Sequence, residues 1–269
     1  MTSIQEDHYA KDYDYWSESP HLKHRHLYES LMKRVSLEIS SASPNSAPSV
    51  VEVGAGDGSV TERLLALGYE VTGTEMSQDS VDEMTSRFQT NDRFMAVHDG
   101  KGDLAALGDT RFDAIVYSSV LHHIPDYLKH LSEASRDHLK PGGSLISIQD
   151  PLWYSRLPKA SLRLTRVAYL SWRLSQGEWV RGIRTRTRRL FSGLSEVEPG
   201  DAVEYHVVRD GVDEEAIVEN LGQHFDAVEL RKYWSSQGAA QQKLGEELGY
   251  TNTFAIFASG FGGHEGAEA

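Results

Sequence analysis

Glycines recur at alternate positions, Gly54, Gly56 and Gly58, directly after the apolar run Val50-Val51-Glu52-Val53. Glycine tolerates positive φ and lets backbone come close to a partner without a Cβ in the way. A buried strand that ends in such a turn, with an acid inside the strand end, is built for backbone contact with a ligand. Two further acids, Glu75 and Asp99, fall just past later apolar runs, and two histidines, His122 and His123, follow a fourth. Carboxylates at those points can accept hydrogen bonds from hydroxyl or amino groups. Histidine titrates near neutral pH and can act as a general base.

These residues need a scaffold that brings strand ends together. After the glycines, Ser59–Leu67 reads as a helix with Val60, Leu64 and Leu67 on one face. Strand, glycine turn and helix make a nucleotide-binding entrance of the doubly wound type. A second strand, Glu70–Thr74, ends at Glu75, and Ser77–Gln89 suits a helix capped by Ser77. Strands at 93–97, 112–117 and 144–149 alternate with a helix over 127–139, which Lys140-Pro-Gly-Gly143 closes as a stop and turn. Helices over 213–224 and 237–248 alternate with strands 225–233 and 253–259. That alternation predicts a seven-stranded, mostly parallel, doubly wound α/β sheet.

The nicotinamide fingerprint G-x-G-x-x-G would require a third glycine where Ser59 stands. The observed spacing, Glu52-x-Gly54-x-Gly56-x-Gly58, resembles the first motif of the class I S-adenosylmethionine (SAM)-dependent methyltransferases. Glu75, Asp99, Ser118 with Ser119, and Lys140–Gly143 follow in that family's order. The resemblance covers residues 48–150 firmly and the last two strands loosely. It implies SAM as the donor, with Gly54, Gly56 and Gly58 against its methionine part and ribose, and Glu52 influencing the ammonium end. It further implies Glu75 on the ribose diol, Asp99 on the adenine amino group with room left by Gly100, and Met76 on the ring face. Ser118 and Ser119 would lie near the amino-acid end. Read as residues alone, Glu75 and Asp99 could equally be helix N-terminal acids.

His122 and His123 are the titratable groups expected near the methyl, as catalytic bases or as structural members of a Leu-His-His segment common in the family. His206, with Glu204 beside it, is a further candidate base. An activated methyl can also transfer through proximity and in-line orientation with little acid–base help. In the amino-terminal helix expected over residues 8–40, Leu22, Leu27, Leu31, Val35 and Ile39 form an apolar stripe. Tyr9, Tyr13, Tyr15 and Trp16 precede it, and Tyr13 and Trp16 either close over the sulfonium by cation–π attraction or pack on the core.

The chain of 269 residues carries no cysteine, so no disulfide and no thiolate metal site is expected. A net charge of −13 argues against general nucleic-acid binding. The start of the chain lacks a signal-peptide pattern, and no apolar run reaches the roughly 20 residues of a membrane span. A soluble cytoplasmic protein without a metal is the expectation. Ser118-Ser-Val-Leu-His-His-Ile-Pro125 also replaces the Pro-Pro-aromatic signature of the fold's nucleic-acid base methylators, which favours a small-molecule acceptor.

The expected organisation is an amino-terminal helical segment (1–47), a SAM-binding core (48–150), a helical lid (151–203), the rest of the sheet (204–261) and a disordered tail (262–269). The lid is basic: ten Lys and Arg face three Glu between Pro151 and Gly200. Leu157, Leu164, Val167, Ala168 and Trp172 fall near helical spacing, with Arg156, Lys159, Arg163, Arg166 and Arg173 on another face and an arginine cluster at 181–189. This face could pair with the acidic core, recognise an anionic or carrier-bound acceptor, or rest on an anionic membrane. The expected function is methyl transfer from SAM to a small organic acceptor such as a secondary metabolite or quinone, at oxygen rather than nitrogen or carbon. The alternative is a SAM-pocket protein with a cyclase-like or regulatory role.

Overall fold

The computed structural model describes residues 23–43, 46–175 and 211–262. The aromatic cluster at 9–16, Glu204, His206, the arginine cluster at 181–189 and the tail from 263 lie outside the described residues.

Seven strands form one sheet in the order β3-β2-β1-β4-β5-β7-β6. They are β1 (Ser49–Val53), β2 (Glu70–Glu75), β3 (Phe94–His98), β4 (Phe112–Ser118), β5 (Leu139–Pro151), β6 (Phe225–Tyr233) and β7 (Thr253–Phe261). The first five run parallel; β7 is antiparallel to both β5 and β6. This is the mostly parallel, doubly wound sheet expected. The chain reverses its winding between β1 and β4, which opens a crevice at their carboxyl ends.

Helices cover both faces: α1 (Arg25–Ala42), α2 (Ser59–Ala66), α3 (Gln78–Arg87), α4 (Tyr127–His138), α5 (Lys159–Ser175), α6 (Glu214–Leu221) and α7 (Ala239–Glu247). On one face Leu31, Val35 and Ile39 of α1 pack with Val60 and Leu64 of α2 against Val50, Val116 and Ile146. On the other, Leu131 of α4 and Ile217 and Leu221 of α6 pack against Val51, Val53, Ile115 and Leu145. Central strands buried on both faces read as continuous apolar runs, which is why they were legible. Among the described residues no helix is long and apolar enough to cross a membrane.

Several boundaries differ from expectation. The helix after the glycine turn stops at Ala66, and Leu67 is its exposed cap rather than a core residue. Lys140–Gly143 is not a turn ahead of β5 but lies inside it. Phe112 pairs with Leu139 and Ala114 with Ser144, so β5 loops out extra residues opposite one step of β4. The Lys140 ammonium, 3.0 Å from Asp113 Oδ2 and 2.9 Å from Ser49 Oγ, ties that bulge to the amino ends of β4 and β1.

β5 also runs on to Pro151, and Leu152 bridges Val212, so the departure and return of the insertion are adjacent. Gly211 makes this closeness feasible: at φ +95°, a Cβ there would stand 2.2 Å from the Leu152 carbonyl oxygen. Arg156 sits in a short turn before α5, not on it, and binds Asp213 at 2.6 Å. Within α5, Ala168 is buried as expected. Val167 instead shares the exposed face with Arg163 and Arg166, because one position of rotation separates it from Ala168.

Candidate functional site

Each parallel strand from β1 to β4 delivers a loop to the same crevice. Gly54, Gly56 and Gly58 all adopt positive φ, at +66°, +57° and +79°. At Gly54 this freedom is indispensable, since a Cβ would sit 2.9 Å from Val120 Cγ2 in the loop after β4. The glycine turn therefore lies directly against the segment carrying Ser118, Ser119 and the histidines. Asp57 accepts hydrogen bonds from the Ser59 N–H and hydroxyl and so starts α2.

Glu75 joins β2 to the glycine turn. Its Oε2 accepts the Gly56 N–H at 3.0 Å, and its Oε1 accepts those of Met76 and Ser77 at 2.7 and 3.4 Å. A carboxylate offers about four lone-pair positions. Glu75 is thus fixed by backbone and retains acceptor capacity for a diol. One strand over, the Asp99 N–H donates to the Glu75 carbonyl at 2.8 Å. The buried Asp99 carboxylate accepts the Leu104 N–H at 2.8 Å, holding the loop after β3 closed. His98 binds the Met76 carbonyl at 2.9 Å, so Met76 is held between the β2 and β3 loops beside Gly102, while Gly100 lies against the His98 ring.

Glu52 is buried beneath this turn, 2% exposed, and accepts the Thr61 hydroxyl at 2.5 Å. Burial, with the negative charges of Asp57 and Glu75 nearby, pushes its carboxyl up to about 8. No cation compensates it among the described residues. A buried acid of this kind is stabilised in its charged form by an ammonium brought by a ligand. Tyr28 of α1, unnoticed in the sequence, reaches over the same turn to the Ser59 carbonyl at 3.4 Å. Desolvation raises its phenol to about 12, so it stays a neutral donor.

On the far side of the crevice Ser119 holds a left-handed conformation, φ +60°, while its N–H donates to the Ile148 carbonyl. That strained corner turns the chain into the short helix Leu121–His123. The His122 and His123 rings lie against each other at a 44° tilt with centroids 3.9 Å apart. His122 Nδ1 lies 2.8 Å from Oδ1 of Asp150, which also accepts the His122 backbone N–H at 3.1 Å. Asp150 Oδ2 accepts the Ser147 hydroxyl at 2.9 Å.

The structure thus brings Glu52, Gly54, Gly56, Gly58, Glu75, Met76, Asp99 and Gly100 into one cradle, bordered by Ser118, Ser119, His122 and His123. Tyr13, Trp16 and His206 fall outside the described residues. Asp150 escaped the sequence reading because its position at the end of a strand gave no motif. Its partner is 28 residues away and meets it only through the pairing of β4 with β5.

Residues 51–145 match the family model described as a methyltransferase domain. A ubiquinone biosynthesis O-methyltransferase of Xanthomonas campestris pv. campestris is 34% identical over 101 residues, which are 36% of this chain and 40% of that protein. The chain therefore spans well under half the length of the curated relatives it matches first. Among solved structures, the N-methyltransferase NodS from Bradyrhizobium japonicum, in complex with S-adenosylhomocysteine, superposes with a TM-score of 0.53 at 14% identity. The match covers 95% of this chain and 96% of that one. The geranyl diphosphate C-methyltransferase of Streptomyces coelicolor A3(2) superposes with a TM-score of 0.53 at 13% identity, over 97% and 84% of the two chains. These two structures establish the fold. They share it while acting, by name, at nitrogen and at carbon.

Proposed function

We infer that this chain, whose residues 51–145 form a methyltransferase domain on the class I SAM-dependent fold, binds SAM and passes its methyl group to a small organic acceptor. The observation that carries this reading is the pairing of the glycine turn with Glu75 above a buried Glu52 that no cation compensates among the described residues. Three acids around one turn suit a donor with a cationic ammonium and sulfonium. They oppose the anionic pyrophosphate of a dinucleotide, so the local charge disfavours a nicotinamide cofactor, as does Ser59 where the fingerprint's third glycine would allow close helix–strand packing.

In this reading Glu75 holds the ribose hydroxyls, Asp99 and Gly100 face the adenine, Met76 packs on its ring, and Glu52 favours the ammonium. Ser118 and Ser119 border the amino-acid end. When bound, the sulfonium supplies a methyl already activated for nucleophilic attack. What remains for the protein is alignment of the acceptor and removal of its proton. His122 and His123 border the cradle and supply titratable nitrogens, which supports oxygen as the methylated atom; the likeness to an O-methyltransferase points the same way.

Titration calorimetry tests the reading directly. SAM and S-adenosylhomocysteine should bind while NAD does not. Glu75→Ala should weaken SAM by about 10²-fold, as expected for losing charge-assisted hydrogen bonds of about 1.5–3 kcal/mol each. Equal affinity for NAD, or an unaffected Glu75→Ala variant, would sink it. SAM binding with no S-adenosylhomocysteine released across hydroxylated acceptors would favour the non-methylating alternative.

A further inference from the structure

The geometry points to Arg87, in the last turn of α3, as a positioning residue for the donor. Its guanidinium fixes the glycine turn so that the peptide group between Gly56 and Asp57 stays open to the amino-acid end of SAM. This rests on the SAM-binding reading above.

From Ala55 to Ser59, nearly every backbone group is spent within the protein. The Ala55 N–H donates to the Thr74 carbonyl at 3.0 Å, and the Gly58 N–H to the Ala55 carbonyl at 2.9 Å. The Gly56 and Ser59 N–H groups go to the Glu75 and Asp57 carboxylates, each at 3.0 Å. The Gly58 carbonyl accepts the Glu62 N–H, and the Ser59 carbonyl the Tyr28 hydroxyl. Arg87 Nη1 donates to the Asp57 carbonyl at 2.7 Å. Among the described residues, only the Gly56 carbonyl and the Asp57 N–H of this stretch have no partner. Gly56 is buried, and a buried backbone group left unpaired is costly, so these two are what the turn offers a ligand. An N–H suits a carboxylate and a carbonyl suits an ammonium, the two groups of an amino-acid end.

That peptide is framed by two others, each held at both ends. Glu75 holds the Gly56 N–H while the Ala55 carbonyl takes Gly58. Beyond it, the Gly58 N–H is bound and the Asp57 carbonyl is fixed by Arg87. Gly56 at φ +57° and Asp57 at negative φ, closed by the Gly58–Ala55 bond, match a type II′ turn. Arg87 is the anchor that comes from beyond the turn and β2.

Its second nitrogen, Nη2, binds Glu62 in the first turn of α2 at 2.5 Å, and the guanidinium lies 5.2 Å from the centre of the Phe88 ring. That ring rests against Gly58, where a Cβ would stand 2.7 Å from Phe88 Cε2. A planar fork can hold a carbonyl and a carboxylate together, whereas an ammonium is a point donor. The Arg87 side chain is 32% exposed, so its ion pair adds little stability. Charge alone would act against binding, because a cation beside the cradle repels a sulfonium. What Arg87 contributes is alignment.

Titration calorimetry of Arg87→Met, with SAM and S-adenosylhomocysteine as probes, separates alignment from charge. Both ligands carry the amino-acid end, so both should weaken by about tenfold and to the same degree. The Tm should stay within about 3 °C. Tighter SAM binding with S-adenosylhomocysteine unaffected would show that Arg87 acts by charge, and unaltered affinity for both would leave it no part in binding. Either result overturns the proposal. Should Arg87→Met not fold, Arg87→Lys keeps the charge and loses the fork. A loss of about threefold for both ligands is then expected, and unaltered affinity overturns the proposal. A wild-type chain that binds neither ligand would sink the SAM-binding reading itself.

Discussion

In the half of the sheet formed by β3, β2, β1 and β4, strands run parallel and each site residue sits in a loop just past a strand end. In the half formed by β5, β7 and β6, the pairings are antiparallel, and the carboxylate that reaches the site comes from inside a strand, at a bulge. The first half presents backbone and acids to a ligand of fixed chemistry. The second flanks the insertion in sequence and is held by long-range side-chain contacts: Gln149 with Tyr233 and Ser235, and Asn252 with Ser235. A donor common to many reactions can be read by local motifs. In the proposed reaction, the acceptor would be met by contacts that only the tertiary fold assembles.

The largest effect that separates the halves should come from Gly54→Val. The strained φ and the 2.9 Å approach to Val120 forbid a side chain there. SAM affinity should fall by more than about 10²-fold, from strain of about 1–3 kcal/mol plus the clash, with the β5–β7–β6 half intact by hydrogen exchange. Retained affinity would erase the division of labour.

Glu214→Ala probes the other half. This carboxylate is 1% exposed and binds Lys232 at 2.8 Å and the Trp153 N–H at 3.3 Å, with Arg156 at 3.5 Å. Its loss leaves Lys232 with Glu215 at 3.7 Å and Arg156 with Asp213, both cations still partly solvated, and stability should fall by about 1.5 kcal/mol, as when a hydrogen bond to a charged group is removed. SAM affinity of the folded fraction should stay within about twofold. A comparable loss of SAM binding would show the halves to be coupled.

The last effect is a slope. The Glu52 carboxyl, pushed up to about 8 by burial, stays protonated in the folded chain over a range where the unfolded chain has ionised. The unfolded state then binds fewer protons, so stability declines as pH rises from about 4.5 to about 8. Binding of an ammonium should favour the ionised form and release a proton. Glu52→Gln should flatten the dependence of Tm on pH in that window and abolish the buffer-dependent part of the SAM binding enthalpy. An unchanged slope would locate the titration elsewhere.

What the sequence made legible follows the same line. Val50–Val53 and Ala114–Tyr117 are apolar runs buried on both faces, and glycine spacing marks the turn between β1 and α2. Ser77 capping α3 was equally local, its hydroxyl accepting the Ser80 N–H. Lys140–Gly143 misled because Pro and Gly signal a turn whether the chain leaves the sheet or only bulges within it. Asp150 was invisible for the complementary reason: a single extra residue, Gln149, reverses which face it occupies. Tyr28 lay in an apolar helix, and only packing of α1 over α2 shows what it touches.

The parallel bridge between Leu152 and Val212 has a consequence for how such an enzyme can change. The stretch 153–211 leaves and returns through one narrow doorway, closed by the Val212 N–H on the Pro151 carbonyl at 3.1 Å and by Arg156 on Asp213. Once those two ends are fastened, lengthening the excursion costs little, about 0.6 kcal/mol of closure entropy per doubling. Length can therefore be added between those two ends at little cost to the strand ends that carry the glycine turn, Glu75 and Asp99.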